Sequence, residues 1–168
     1  FQATWGAWAS ELVLDLAGGD RALAEDLSAR IRFDRAASRF LPDSPVIAGT
    51  VQDAATALLP GLPHLGRVAL VDRLVHSSIA VTPVQAVPLV ALLAQLRTAG
   101  RALGVATNDA ELAATAQLSG IGVLDAFDIV IGADSGHGAK PGPGQCLAFA
   151  DHVALPPGQI AMIGDSTH

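Results

Sequence analysis

At 168 residues the chain suits one domain with a sizeable core, or a core with a smaller appendage. Its net charge of −6 excludes the broad basic face that nucleic-acid or anionic-membrane binding needs, and no apolar run approaches the ~20 residues of a membrane span. Aromatics are only 4% of the residues, so the core is aliphatic, and the single Cys146 cannot close an internal disulfide, which points to a reducing, cytoplasmic setting.

The first 80 residues read as helices. Apolar residues at positions 5, 8, 12 and 16 give Phe1–Leu16 a near-helical period, and Gly18-Gly19 stops it. Trp5 and Trp8, three apart, pack this part of the chain. Asp20 is placed to cap a second helix running to about Arg32. Beyond it, helical spacing puts Arg32, Arg35 and Arg39 on one face and Phe33 and Phe40 on another. A solvated arginine face is the favoured reading there, ahead of a carboxylate-binding site. Pro42 and Pro45 mark a loop. Thr50 caps Val51–Leu59 with Asp53 three residues on, and Pro60-Gly61 ends that helix. Arg67–Ser78 has helical spacing again.

The grammar changes after Thr82-Pro83. Val87–Thr98 reads as a helix stopped by Gly100, Leu103–Thr107 as a buried strand, and Asp109 as the cap of a helix reaching Leu118 and ended by Gly120. Asp128–Ile131 is a second strand. Pro143 opens a helix to about Asp151, and Gln159–Ile163 is a third strand after the Pro156-Pro157-Gly158 turn. Alternating aliphatic strands and helices predict an α/β fold with a parallel, doubly wound sheet. The expected organisation is an all-helical unit over 1–82 and a Rossmann-like, three-layer α/β core over 83–168. Ligands of such sheets sit at the carboxyl ends of the strands.

Three polar signals sit there. Val105-Ala106-Thr107-Asn108 ends an apolar run in a hydroxyl and an amide. Ile160-Ala161-Met162-Ile163-Gly164-Asp165-Ser166 ends one in a carboxylate. Between them, in the glycine-rich stretch from Gly132 to Gly144, stands Lys140-Pro141, and Lys140 is the only lysine in a chain that otherwise uses arginine. A lysine ammonium is a compact point charge, unlike the planar guanidinium fork. Hydroxyl, ammonium and carboxylate at strand ends suit a phosphate and a Mg2+ ion. His64, His76 and His152 have no metal-ligand spacing, His137 reads as an exposed loop residue, and Cys146 as a small core residue.

On these residues the chain resembles the haloacid dehalogenase-like (HAD) phosphohydrolases, in the phosphoglycolate-phosphatase-like branch with a helical cap. Gly104-Val105-Ala106-Thr107-Asn108 is similar to the family's second motif, Lys140-Pro141 with Pro143 to its third, and Ile163-Gly164-Asp165-Ser166 to most of its fourth. The resemblance implies a Mg2+-dependent phosphatase that works through an aspartyl-phosphate on a small phosphorylated metabolite such as phosphoglycolate, as a monomer or homodimer. Carried over residue by residue, the Thr107 hydroxyl and the Asn108 backbone N–H would bind phosphoryl oxygens. Lys140 would neutralise charge in the transition state, and Asp165 would help hold Mg2+. One departure is large: the family's Asp-x-Asp motif, which supplies nucleophile and general acid/base, is absent from the 168 residues. It is expected just before Phe1, on a strand between those ending at Thr107 and Gly164, and on that expectation the chain reads as an internal portion of a longer enzyme or as one trimmed at both ends. The competing readings are a phosphosugar mutase on the same scaffold and a non-catalytic phosphate-binding or regulatory domain. Haloacid dehalogenation fits less well, because Gly164-Asp165 offers a metal carboxylate which that metal-free chemistry does not use.

Overall fold

In the computed structural model, which describes residues 1–164, the chain divides into one unit over Phe1–Val84 and a second from Gln85 onward. In the first unit, helix α1 (Gln2–Leu16) buries Ala9, Leu12, Val13 and Leu16, the 3- and 4-residue spacing of a single apolar stripe. Helix α2 (Arg21–Arg30) starts at Asp20, whose carboxylate accepts from the N–H groups of Ala22 and Leu23. The short helix α3 (Pro45–Ala48) is capped by Ser44, and helix α4 (Val51–Leu58) begins with a complete capping box between Thr50 and Asp53. Helix α5 (Arg67–Ile79) buries Leu70 and Leu74. These side chains share one core with Leu27, Ile31, Leu58 and Leu62. Trp5 and Trp8 pack edge to face at 5.2 Å, and the Trp8 indole N–H donates to Ser77 Oγ.

Two expectations for this unit need correction. It is not all-helical: strands β1 (Phe33–Asp34) and β2 (Arg39–Phe40) form a small antiparallel hairpin. Arg32, Arg35 and Arg39 therefore share no helical face. Helix α2 ends at Arg30, Arg32 adopts a left-handed conformation (φ 56°), and the chain turns back on itself. The hairpin wins because pairing Phe33 opposite Phe40 buries both rings, with centroids 4.8 Å apart, which a continued helix would not do. Gln2 fixes the hairpin by gripping Phe40 at two points, accepting from its N–H and donating to its C=O. Arg32 pairs with Asp43 and Arg35 with Glu25, both as exposed ion pairs.

The second unit opens with α6 (Leu89–Thr98), which starts after Pro88 rather than at Val87. Strand β3 (Gly104–Ala106) and strand β4 (Ile129–Ile131) run parallel, with Gly104 opposite Ile129 and Ala106 opposite Ile131. One further bond brackets the ladder at each end, from the Asp128 N–H to the Leu103 C=O and from the Thr107 N–H to the Ile131 C=O. Asp128 anchors the near end. Its carboxylate accepts from the Leu103 N–H and takes a two-pronged contact from Arg97 at the end of α6. That guanidinium, then the Leu103 N–H, hold the Asp128 carboxyl below its ordinary value. Helix α7 (Glu111–Gly120) crosses from β3 to β4, and α8 (Gly144–His152) packs on both strands. Helix α7 runs through Gly120 and turns off at Gly122, which holds the left-handed φ of 70°.

The parallel β3–β4 pair and its crossover helix establish the α/β character of this unit. The expected strand over Gln159–Ile163 is absent among the described residues. Pro157–Gln159 is a 3-10 turn, and residues 160–164 belong to no ladder. A strand is defined by its neighbour, and no described segment pairs with this one. Instead residues 160–163 face β3 across a cavity of about 310 Å³, with Cys146 and Phe149 also on its wall. Ile163, which closes the apolar run read as a strand, is 90% exposed.

Candidate functional site

The three-residue ladder delivers two chain ends side by side: Thr107 follows β3 and Gly132 follows β4. At Thr107 the hydroxyl accepts a hydrogen bond from the Asp109 N–H (3.0 Å), closing a tight turn. An accepting hydroxyl keeps its own proton, so Thr107 retains an O–H to donate to a ligand oxygen. The Thr107 carbonyl is held from below by Gln145 Nε2 at 2.7 Å.

Lys140 comes to this turn from 32 residues away. Its N–H donates to Asn108 Oδ1 (2.8 Å), and its C=O accepts from Asn108 Nδ2 (3.1 Å). Both residues are half-buried. The peptide joining Lys140 to Pro141 is cis. The loop that carries Lys140 approaches α8 so closely that a Cβ on Gly144 would run into the His137 carbonyl. Likewise, a Cβ on Gly132 would strike the Glu111 main-chain nitrogen, which brings the start of α7 hard against the end of β4. Glycine at both positions is thus a requirement of packing. A local network completes the floor: Glu111 N–H donates to Asp134 Oδ1, and Ser135 Oγ donates to Glu111 while accepting from the Gly132 N–H.

Asp109 differs from its expected role as a helix cap. Ala110 occupies the N-cap position of α7 without a side-chain cap, and Asp134, arriving from the β4 loop, takes the Glu111 N–H instead. The Asp109 backbone is already committed, its N–H to Thr107 Oγ1 and its C=O to the Ala133 N–H. Its half-buried carboxyl is raised above the ordinary value by desolvation, with the positive charge of Lys140 opposing. A raised carboxyl pKa means that the folded state binds the proton more tightly than the unfolded chain. Stability from this group is therefore full below the ordinary value and is lost as pH rises through the folded one. Asp109→Asn is expected to raise the melting temperature at pH 7 and to leave it nearly unchanged at pH 3, read by paired thermal melts at the two pH values.

Thr107, Asn108 and Lys140 are thus joined in one place at the carboxyl ends of the strands, while Asp165 lies outside the described residues. Among the described residues no group of three or more His, Cys, Asp and Glu side chains is placed to hold a metal ion. The described residues therefore do not by themselves fit a Mg2+ site. The cavity beside β3 is a separate feature, since none of Thr107, Asn108 or Lys140 lines it. Sequence reasoning missed two participants. One is the Asn108 side chain, since the motif singles out only its backbone N–H. The other is Gln145, which is 0% exposed and whose Oε1 has no hydrogen-bond partner among the described residues. A signal for it exists in the sequence: Gln145 stands four and five residues before Phe149 and Ala150, a polar residue in an apolar helical stripe.

Residues 9–168 match the family described as haloacid dehalogenase-like hydrolase. Among curated proteins, the chain is 38% identical over 74 residues to a phosphoglycolate phosphatase of Nitrosococcus oceani, covering 44% of this chain and 33% of that protein. It is 40% identical over 76 residues to a phosphoglycolate phosphatase of Rhodospirillum rubrum, covering 45% of this chain and 32% of that protein. A probable phosphatase IndB of Dickeya dadantii is 37% identical over 76 residues, covering 45% of this chain and 33% of that protein. The matched stretch thus spans about a third of the length of these relatives. No solved structure matches significantly.

Proposed function

Because the chain belongs to the haloacid dehalogenase-like hydrolase family, we propose that it forms part of a Mg2+-dependent phosphatase acting on a small phosphorylated metabolite of the phosphoglycolate type. The observation that supports this reading is the two-point contact between the Asn108 carboxamide and the Lys140 main chain, which brings the chain's one lysine to the strand end that carries Thr107 and Asn108. A hydroxyl, a backbone N–H and an ammonium match a phosphoryl group, whose oxygens accept from neutral donors while its charge calls for a cation. On this reading Thr107 Oγ and the Asn108 N–H bind phosphoryl oxygens, and Lys140 Nζ offsets the charge that accumulates between nucleophile and phosphoryl group. Asp165, outside the described residues, would contribute a ligand to Mg2+, and the ion when bound would supply further charge neutralisation.

The nucleophile is assigned to an Asp-x-Asp segment outside these 168 residues, because no such pair occurs within them. The apolar cavity between residues 160–163 and β3, whose edge there pairs with nothing among the described residues, supports a place for the strand that carries it. The first unit, up to Val84, is read as the helical cap and the second as the α/β core of three layers. A free Cys146 accords with a reducing cytoplasmic setting. Phosphate release from 2-phosphoglycolate and from a panel of sugar phosphates, by the full-length protein with and without Mg2+, tests the proposal. Metal-dependent release that Lys140→Ala cuts to a small but measurable residual rate is the expected result. Phosphate binding without release overturns it in favour of a binding domain, and isomerised sugar phosphate in favour of a mutase.

A further inference from the structure

Lys140 sits in a stretch that has little of its own to hold it. Gly132, Gly136, Gly138 and Gly142 surround it, and Gly136 and Gly138 take positive φ values of 86° and 75°. Glycine-rich backbone loses more conformational freedom on ordering than any other, so a lysine placed there keeps one position only if something external fixes it. The Asn108 side chain supplies that restraint, occupying both the N–H and the C=O of Lys140. Two bonds from one planar amide fix direction as well as distance, as Gln2 does for Phe40 in the other unit. The amide is itself anchored, since its backbone follows Thr107, whose carbonyl is held by the fully buried Gln145.

We infer that Asn108 is a positioning residue: its carboxamide clamps the Lys140 main chain and thereby sets where the ammonium meets the phosphoryl group. The inference rests on the role of Lys140 proposed above, and goes beyond the contact of the Asn108 backbone N–H with phosphate. It explains why an amide stands there: a carboxylate has no donor for the Lys140 C=O, and a hydroxyl cannot span both groups. Asn108→Ala keeps the backbone N–H and removes the clamp on Lys140.

The test is a double-mutant cycle on the full-length protein with 2-phosphoglycolate, using Asn108→Ala, Lys140→Ala and the pair. Asn108→Ala should lower kcat by roughly 10- to 100-fold, the scale of losing catalytic alignment, with KM changing far less. In the Lys140→Ala background the same substitution should cost almost nothing. Hydrogen exchange gives a readout independent of activity: the Lys140 amide should lose protection in Asn108→Ala while the β3 and β4 amides keep theirs. Equal losses in both backgrounds, an unchanged kcat, or exchange that rises throughout the second unit would each overturn the inference. If Lys140→Ala itself leaves phosphate release intact, the functional proposal has failed. If Lys140→Ala falls to a residual rate and Asn108→Ala is fully active, the function stands and the clamp falls.

Discussion

Lys140→Arg in the full-length protein is expected to lose on the order of 10²-fold or more in kcat, although it keeps the charge. The reason is shape. Lysine places a compact ammonium at the end of a flexible stem, whereas the guanidinium is a wide plane that demands its own set of acceptors. The main chain at position 140 cannot retreat to make room, because Asn108 holds it on both sides and the neighbouring loop is pressed against α8 at Gly144. Steady-state phosphate release under saturating Mg2+ reads the result, with a thermal melt to confirm folding. Near-normal turnover by Lys140→Arg would show that an ammonium is not required at this position.

Thr107→Val is expected to be nearly as costly, with kcat lowered about 10²- to 10³-fold, the usual effect of deleting one donor to a developing anion. Valine keeps the branched shape, so strand β3 and its bond from the Thr107 N–H to Ile131 persist. Two things go: the hydroxyl proton proposed to meet a phosphoryl oxygen, and the acceptor for the Asp109 N–H. Thr107→Ser separates them, since it keeps both functions and should retain most of the activity. If Thr107→Val turns over like the parent, the hydroxyl only closes the turn and binds no substrate.

Helix starts were readable at two local caps, though not at Ser44, whose short helix lies in the stretch read as a loop. Asp20 and Thr50 meet N–H groups two and three residues away, so their roles follow from spacing alone. Asp109 looked the same on paper and behaves differently, because Asp134 reaches across from the end of β4 to take the helix's N–H. The arginine-rich stretch failed for a related reason. Arg32, Arg35 and Arg39 have helical spacing, but burial of Phe33 against Phe40 depends on a cross-strand contact that periodicity does not encode. The expected strand at 159–163 carries a strand's composition, yet composition confers no partner, and none pairs with it among the described residues.

By itself the sequence determined what is local or chemical: a helix-rich first half, the change to strand–helix alternation, the β3 and β4 positions, and the singular Lys140 among hydroxyl and amide motifs. Tertiary structure decided which distant groups meet. Asn108 lies 32 residues from Lys140 and Gln145 lies 38 from Thr107, and each contact satisfies backbone polar groups at a strand end or in a loop. Such groups must find partners when the chain folds, but which side chain supplies them is set by the crossing of strands and helices. That geometry comes from packing of the whole unit, so no window of neighbouring residues contains it.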